Sequence, residues 1–443
     1  MSQEPAPALL NSGLESALED ARARLAAAHP QSLARHRAAA AALPGGNTRA
    51  VLYYDPFPLT FTGGAGCRVT TLDGVEMVDL VSEYSAGLYG HSDPVIAAAL
   101  KTAVDGGIAL GAPNIVEARY AAALVDRFPG FERVRFCNSG TEANIMALST
   151  ARAVTGRGTI IAMAEGYHGG VLTFAHGGSE LNLPFPFAFA TYNDIAATRA
   201  LIRERADDLA AVILEPMMGG GGCIPADREF LAMIREETRA AGALMILDEV
   251  MTSRLDYRGL HGAHGIAPDL LTMGKYLGGG ASFGVFGGRA EIIDRFDPSR
   301  PGAFSHGGTF NNNVLSMSAG YAGFMNVLTE PAVAAMNDTG ERLREGIAAA
   351  LDRHGLAACV TGRGSLMNIH FVPGPITTPA PLDAADPRHL SLLHAELLLA
   401  GFHIAPRGMI ALSLPFGDGD AAEFLAALDT ILADHARHLP RRP

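Results

Sequence analysis

Short, mostly apolar runs mark the middle of the chain, and most of them end at a segment rich in glycine, hydroxyl or charged residues. They cover 134–137, 159–163, 211–214, 243–247, 270–273 and 283–286. Runs of this length without alternation predict strands buried on both faces. Between some of them lie helically spaced apolar positions, such as Phe230, Leu231, Ile234 and Ala241. Strand–helix alternation over about 115–290 predicts a mostly parallel sheet covered on both sides. Residues 13–42 read as helix, rich in Ala, Leu and Arg, stopping at Leu43-Pro44-Gly45-Gly46. Residues 50–80 alternate apolar and polar positions around turns such as Asp73-Gly74, which predicts short antiparallel strands. After about 330 the pattern gives a helix, strands near 365–371 and 410–414, and a final helix. The expected division is an N-terminal helix and strands over 1–80 that join a small domain, a large α/β domain over 81–330, and a C-terminal α+β unit over 331–443.

Composition narrows the function classes. The 443 residues are 48% apolar and 18% charged, as expected of a soluble globular protein with a large interior. The formal net charge of −12, with no long Lys/Arg stretch, argues against nucleic acid or an anionic membrane as partner. Cys67, Cys137, Cys223 and Cys359 lie far apart without a C-x-x-C pair, so neither a disulfide framework nor a zinc site is expected, and no metal. The first thirty residues, with Glu4, Glu15, Glu19 and Asp20, lack a basic start followed by an apolar stretch. No apolar run is long enough to span a bilayer, so a cytoplasmic protein is expected.

Candidate chemistry follows the apolar runs, where parallel sheets bind their ligands. After 134–137 comes Asn138-Ser139-Gly140-Thr141-Glu142-Ala143-Asn144, readable as a phosphate cradle at a helix start or as an ordinary helix cap. After 159–163 comes Glu165-Gly166-Tyr167-His168-Gly169-Gly170, where Tyr167 and His168 either stack on a flat ligand or form a packed polar turn. Asp248, at the end of 243–247, would hold a cationic ring nitrogen or enter an internal salt bridge, with Val250 close to one ring face. Lys275 follows 270–273 and precedes three glycines; apolar surroundings there would lower its pKa and make it nucleophilic. A phosphate cradle, a carboxylate for a pyridine nitrogen and a lysine for an aldehyde are the parts a pyridoxal-phosphate site needs.

These segments, with Gly45-Gly46-Asn47-Thr48-Arg49, Glu215-Pro216 and Gly308-Thr309-Phe310, resemble the class III aminotransferases, on the branch that also holds glutamate-1-semialdehyde aminomutase. Ser82-Glu83-Tyr84-Ser85-Ala86-Gly87-Leu88-Tyr89-Gly90-His91-Ser92, residues 308–313 and Ala405-Pro406-Arg407-Gly408 resemble the bacterial β-phenylalanine aminotransferases within it. The resemblance implies the aspartate-aminotransferase fold (fold type I), pyridoxal 5'-phosphate, a small-molecule amino donor and a keto acid. It implies that Lys275 forms the Schiff base and moves the proton, and that Asp248 keeps the ring nitrogen protonated. By the same resemblance Tyr167 and Val250 would sandwich the ring, with His168 beside them. Ser139, Gly140 and Thr141 would bind phosphate, and Glu215 would orient Asp248 or a neighbour. Thr309 would reach the phosphate of a partner subunit, which implies a homodimer with a shared site. Arg49 and Arg407 are the candidates for substrate carboxylates, with Tyr84, Leu88 and Tyr89 as apolar wall, so the expected reaction carries the amine of an aromatic β-amino acid to 2-oxoglutarate. The competing readings are the intramolecular aminomutase, a racemase or epimerase, and a non-catalytic cofactor-binding regulator, for which the acidic N-terminus supplies no basic DNA-binding module.

Overall fold

The computed structural model describes residues 11–442. The start of the expected acidic N-terminal segment, including Glu4, lies outside them. Three short strands open the described fold: β1 (Phe61–Ala65), β2 (Arg68–Thr71) and β3 (Glu76–Asp79). The central run comprises β4 (Arg133–Cys137), β5 (Thr159–Met163), β6 (Phe187–Ala190), β7 (Leu209–Leu214), the small ribbon β8 (Met217–Met218) and β9 (Ile224–Pro225), β10 (Leu244–Asp248), β11 (Leu270–Gly274) and β12 (Gly284–Gly288). The last strands are β13 (Cys359–Arg363), β14 (Leu366–His370), β15 (Phe402–His403) and β16 (Met409–Ala411).

The main sheet has seven strands in the order β4-β12-β11-β10-β7-β5-β6. Every residue of β7, β10 and β11 is buried, as the mostly apolar runs require of strands covered on both faces. The helix Arg228–Ala241 covers one face through Phe230, Leu231 and Ile234. All strands but β12 run parallel, so β4, β5, β7, β10 and β11 deliver their carboxyl ends to one edge. β12 is antiparallel to both its neighbours. Only the single turn Lys275–Gly278 and five further residues separate it from β11, too little chain for a helical crossover.

Two N-terminal expectations are corrected. The helix expected over 13–42 is two helices, Asn11–Ala28 and Pro30–Ala39. Pro30 forces His29 out of helical geometry, and the second helix stops short of Pro44. Leu14, Leu18 and Ala21 of the first helix pack on Leu392 and Ala395. The strands expected from residue 50 begin only at Phe61, because Ala50–Leu52 closes a tight 3-10 turn. β15 then pairs with β3, joining the early strands to the end of the chain. No helix among the described residues is long and apolar enough to cross a membrane.

Candidate active site

Asp248 ends β10 and is buried, so its carboxylate needs donors. Oδ2 meets the His168 Nδ1 at 2.8 Å and accepts Asn144 Nδ2 at 2.7 Å. Oδ1 accepts the Val250 N–H at 3.0 Å. Thr272 on β11 donates to Asn144 Oδ1 at 2.6 Å, which turns the Asn144 amide toward Asp248. Asn144 stands one turn into the helix Gly140–Thr155 and also donates to the His168 carbonyl at 2.9 Å. Asn144 carries no role in the sequence reading; its buried place on the sheet-facing side of that helix is the signal that marks it.

The start of that helix is built for close approach. Ser139 caps it, its hydroxyl accepting the Glu142 N–H at 3.1 Å. The N–H groups of a first turn have no partner within the helix. A Cβ on Gly140 would lie 2.8 Å from both Val250 methyls, and one on Gly169 would strike Thr141 Oγ1 at 2.2 Å. A Cβ on Gly274, next to Lys275, would sit 3.5 Å from the Gly140 N, so β11 ends beside the helix start. Asp248, Val250, Lys275 and the 139–141 cradle are thus brought together.

Tyr167 keeps half of its surface exposed at 49%, leaving an aromatic face available beside the site. His168 does not offer its ring to a ligand; it is buried behind Asp248. Glu215 makes no hydrogen bond to Asp248. Its carboxylate accepts the Tyr167 N–H at 3.2 Å and the Gly219 N–H at 2.9 Å, so it holds the backbone of the aromatic turn. Burial pushes its pKa up to about 7, against the pull of His168, with the charge of Asp248 adding to the rise.

Lys275 is one of two lysines in the sequence; the other, Lys101, is exposed on a helix. The Lys275 amine donates to the Tyr84 carbonyl at 2.6 Å. Burial, then the Arg407 charge, pushes it down to about 8; Asp248 and Glu215 oppose the shift and Arg254 adds to it. The Tyr84 carbonyl belongs to an unusual turn. Ser82, Glu83, Tyr84 and Ser85 all have left-handed φ values, 43°, 51°, 52° and 75°. Left-handed helical geometry costs a residue with a Cβ roughly 1–2 kcal/mol, and strain of this kind concentrates at functional sites.

The same turn gathers the arginines. Arg49 pairs with Glu83, and its guanidinium lies 5.7 Å from the Tyr84 ring centroid. Arg407 lies 5.6 Å from the same centroid. Tyr84 donates its hydroxyl to the Val51 carbonyl at 2.9 Å. Tyr89 and Leu88 do not join this group: both are buried in the core, where the Tyr89 ring packs against Tyr276 and the backbone of Gly323. The apolar wall expected from Leu88 and Tyr89 is corrected, because both side chains pack into the core. Within one chain Thr309 is not brought to Lys275. It is exposed and lines a groove of about 890 Å³ with Ile108, Leu110 and Phe310.

The fold and this lysine–aspartate–helix-start geometry define a fold type I pyridoxal-phosphate enzyme. The chain matches the aminotransferase class-III family over residues 52–394 and belongs to it. It is 45% identical to the β-phenylalanine transaminase of Variovorax paradoxus, over 98% of this chain and 100% of that one. The crystal structure of a β-phenylalanine aminotransferase from Variovorax paradoxus superposes with a TM-score of 0.95, covering 97% of this chain and 100% of that chain. A glutamate-1-semialdehyde 2,1-aminomutase of Sorangium cellulosum is 36% identical over 85% of this chain and 90% of its own. A transaminase solved with pyridoxal phosphate bound superposes with a TM-score of 0.85 at 33% identity, over 92% of this chain and 98% of that chain. The protein is therefore an aminotransferase whose cofactor is pyridoxal 5'-phosphate, and the exposed aromatic face, the glycine-lined helix start and the buried carboxylate fit that group.

Two expected outcomes follow from the buried charges. In protein stripped of cofactor, reductive methylation of Lys275 should rise with pH through a midpoint near 8, read by peptide mass spectrometry with Lys101 as internal reference. A midpoint at the ordinary value of 10.5 would contradict the buried setting. Glu215 binds its proton more tightly folded than unfolded, so its stabilising contribution is full below pH 4.5 and is lost as pH rises through about 7. One group supplies a slope of at most about 1.4 kcal/mol per pH unit. Glu215→Gln should flatten the fall in stability over that window in urea titrations; an unchanged slope would show that Glu215 is ionised throughout.

Proposed function

We propose that the enzyme transfers the amino group of an aromatic β-amino acid, such as β-phenylalanine, to 2-oxoglutarate in the cytoplasm. The observation that carries this reading is the pair of guanidinium groups on one ring: Arg49 and Arg407 both approach Tyr84, whose carbonyl holds the Lys275 amine. Two cations at different positions around one aromatic group suit two carboxylates at different distances from the reacting amine. In a β-amino acid the carboxylate lies one carbon further from the amine than in an α-amino acid. The named activity of the Variovorax relative supports the same substrate class.

Bound pyridoxal phosphate supplies an aldehyde for the amine and a ring that accepts the electron pair. Lys275 would hold that aldehyde and move a proton, and its lowered pKa favours the neutral base. Asp248, held by His168 and Asn144, would hold the ring nitrogen. Val250 and Tyr167 would flank the ring. Ser139, Gly140 and Thr141 would hold the phosphate at the positive end of their helix. Arg49 takes the carboxylate of the β-amino acid and Arg407 that of the keto acid. Glu83 already occupies Arg49, so the incoming carboxylate must displace it.

We further infer a homodimer in which Thr309 reaches the partner's phosphate. Ile108, Leu110, Ile115 and Phe310 expose 48%, 55%, 73% and 66% of their surface, several of them beside Thr309. Apolar exposure concentrated in this way marks an interaction surface.

The substrate reading is tested with the purified enzyme, a panel of α- and β-amino acids and 2-oxoglutarate, following glutamate. Arg49→Ala should raise KM for the β-amino acid more than for 2-oxoglutarate, and Arg407→Ala should show the opposite bias. Loss of one bidentate contact corresponds to on the order of 2–4 kcal/mol. Turnover of α-amino acids alone, or amine movement without an added keto acid, would overturn it. For the dimer, light scattering should give twice the chain mass, and Thr309→Ala should release cofactor faster on dialysis. A fully active monomer contradicts the shared site.

A further inference from the structure

Arg254 is 1% exposed, and among the described residues no carboxylate pairs with it. Buried guanidinium groups ordinarily lie beside an acid, since removing the charge from water is costly. Arg254 binds neutral acceptors instead. Nε donates to Ser365 Oγ at 3.1 Å, Nη1 to the Ser85 carbonyl at 3.4 Å, and Nη2 to the Leu412 carbonyl and to Met336 Sδ. Arg254 lies in the tight turn Thr252–Leu255, shortly after Asp248. One side chain therefore ties the segment leaving Asp248 to the end of the left-handed turn.

That turn needs external support. Ser82, Glu83, Tyr84 and Ser85 include no glycine, so none of the four residues favours its positive φ by itself. Its entry is held by Asp79 Oδ1, which accepts the N–H groups of Val81 at 2.9 Å and Ser82 at 3.1 Å. The Gly87 N–H closes it on the Ser82 carbonyl at 2.7 Å. At its exit, Arg254 binds the Ser85 carbonyl.

We propose that Arg254 is a positioning residue for amine transfer, holding the 82–85 turn left-handed so that the Tyr84 carbonyl meets the Lys275 amine. This rests on Lys275 being the reacting amine. A neutral amine that donates one N–H to a carbonyl keeps its lone pair free to take a proton. Were the Tyr84–Ser85 peptide to flip, the Ser85 N–H would face the amine and occupy that lone pair. A carboxylate in place of the carbonyl would hold the amine as an ammonium ion. A neutral acceptor fixed by a buried cation does neither.

The test uses the full-length holoenzyme and Arg254→Met, alone and with Ser82→Gly plus Ser85→Gly, since glycine adopts left-handed geometry freely. Hydrogen exchange is read at the Tyr84 and Gly87 amides, which bond the Val81 and Ser82 carbonyls, together with kcat and KM. In Arg254→Met, protection at these amides should fall about tenfold or more, and kcat about tenfold or more, with KM for the amino donor within about threefold. The two glycines should restore protection and at least part of kcat. Loss of kcat with protection unchanged, or no recovery with the glycines, overturns the proposal. If Arg254→Met fails to fold, Arg254→Lys, which keeps a long polar side chain but not the fork of donors, is judged by the same outcomes. Borohydride reduction of the wild-type holoenzyme separately tests the reading underneath: cofactor mass on Lys101 instead of Lys275 removes the role of the lysine, while the exchange data still decide whether Arg254 holds the turn.

Discussion

The site depends on satisfying one carboxylate at the end of a buried strand. Asp248 stays in place because donors reach it from three separate parts of the fold: the turn after β5, the helix Gly140–Thr155 and its own following backbone. Thr272, on the neighbouring strand β11, orients one of those donors. Partial satisfaction would leave a desolvated charge, so these elements are fixed relative to one another as a set. The parallel sheet makes that possible, because only parallel neighbours present several carboxyl ends at one edge. Gly274 and Gly140 then let β11 and the helix start close up, which sets Lys275 beside the cradle.

Much of this was legible in the chain. The apolar runs located six of the seven main-sheet strands to within two residues at each end, because strands covered on both faces leave no polar alternation to confuse them; β6, a partly exposed edge strand, was not among them. Asp248 and Lys275 were visible because a charge directly after such a run needs a reason. Less legible were features set by chain length or by distant contacts. β12 reads as one more buried strand, and only the short connection from Lys275 reverses it. Tyr89 reads as pocket wall, but lies in the core against Gly323. Glu83 gives no sequence signal apart from its position in the 82–92 segment, and the left-handed turn gives none, having no glycine at its four positive-φ positions. Its geometry comes from Asp79, Gly87 and Arg254, which lie before, after and far along the chain.

The arrangement of charges around Lys275 shows why the cations here are arginines. Arg254 remains protonated even though burial pushes it down to about 10, whereas a lysine in that setting would tend to lose its proton. Arg254 and Arg407 together can oppose protonation of Lys275 without competing for its chemistry. Asp248 and Glu215 pull the other way, yet neither hydrogen-bonds the amine; the contact belongs to the uncharged Tyr84 carbonyl. An ionised partner at that position would fix the lysine in its protonated form. The turn therefore supplies direction without charge, and the arginines supply charge without contact. A strained backbone is a suitable place for such an acceptor, because its carbonyl is held by the surrounding fold and cannot follow the amine as the lysine changes partners.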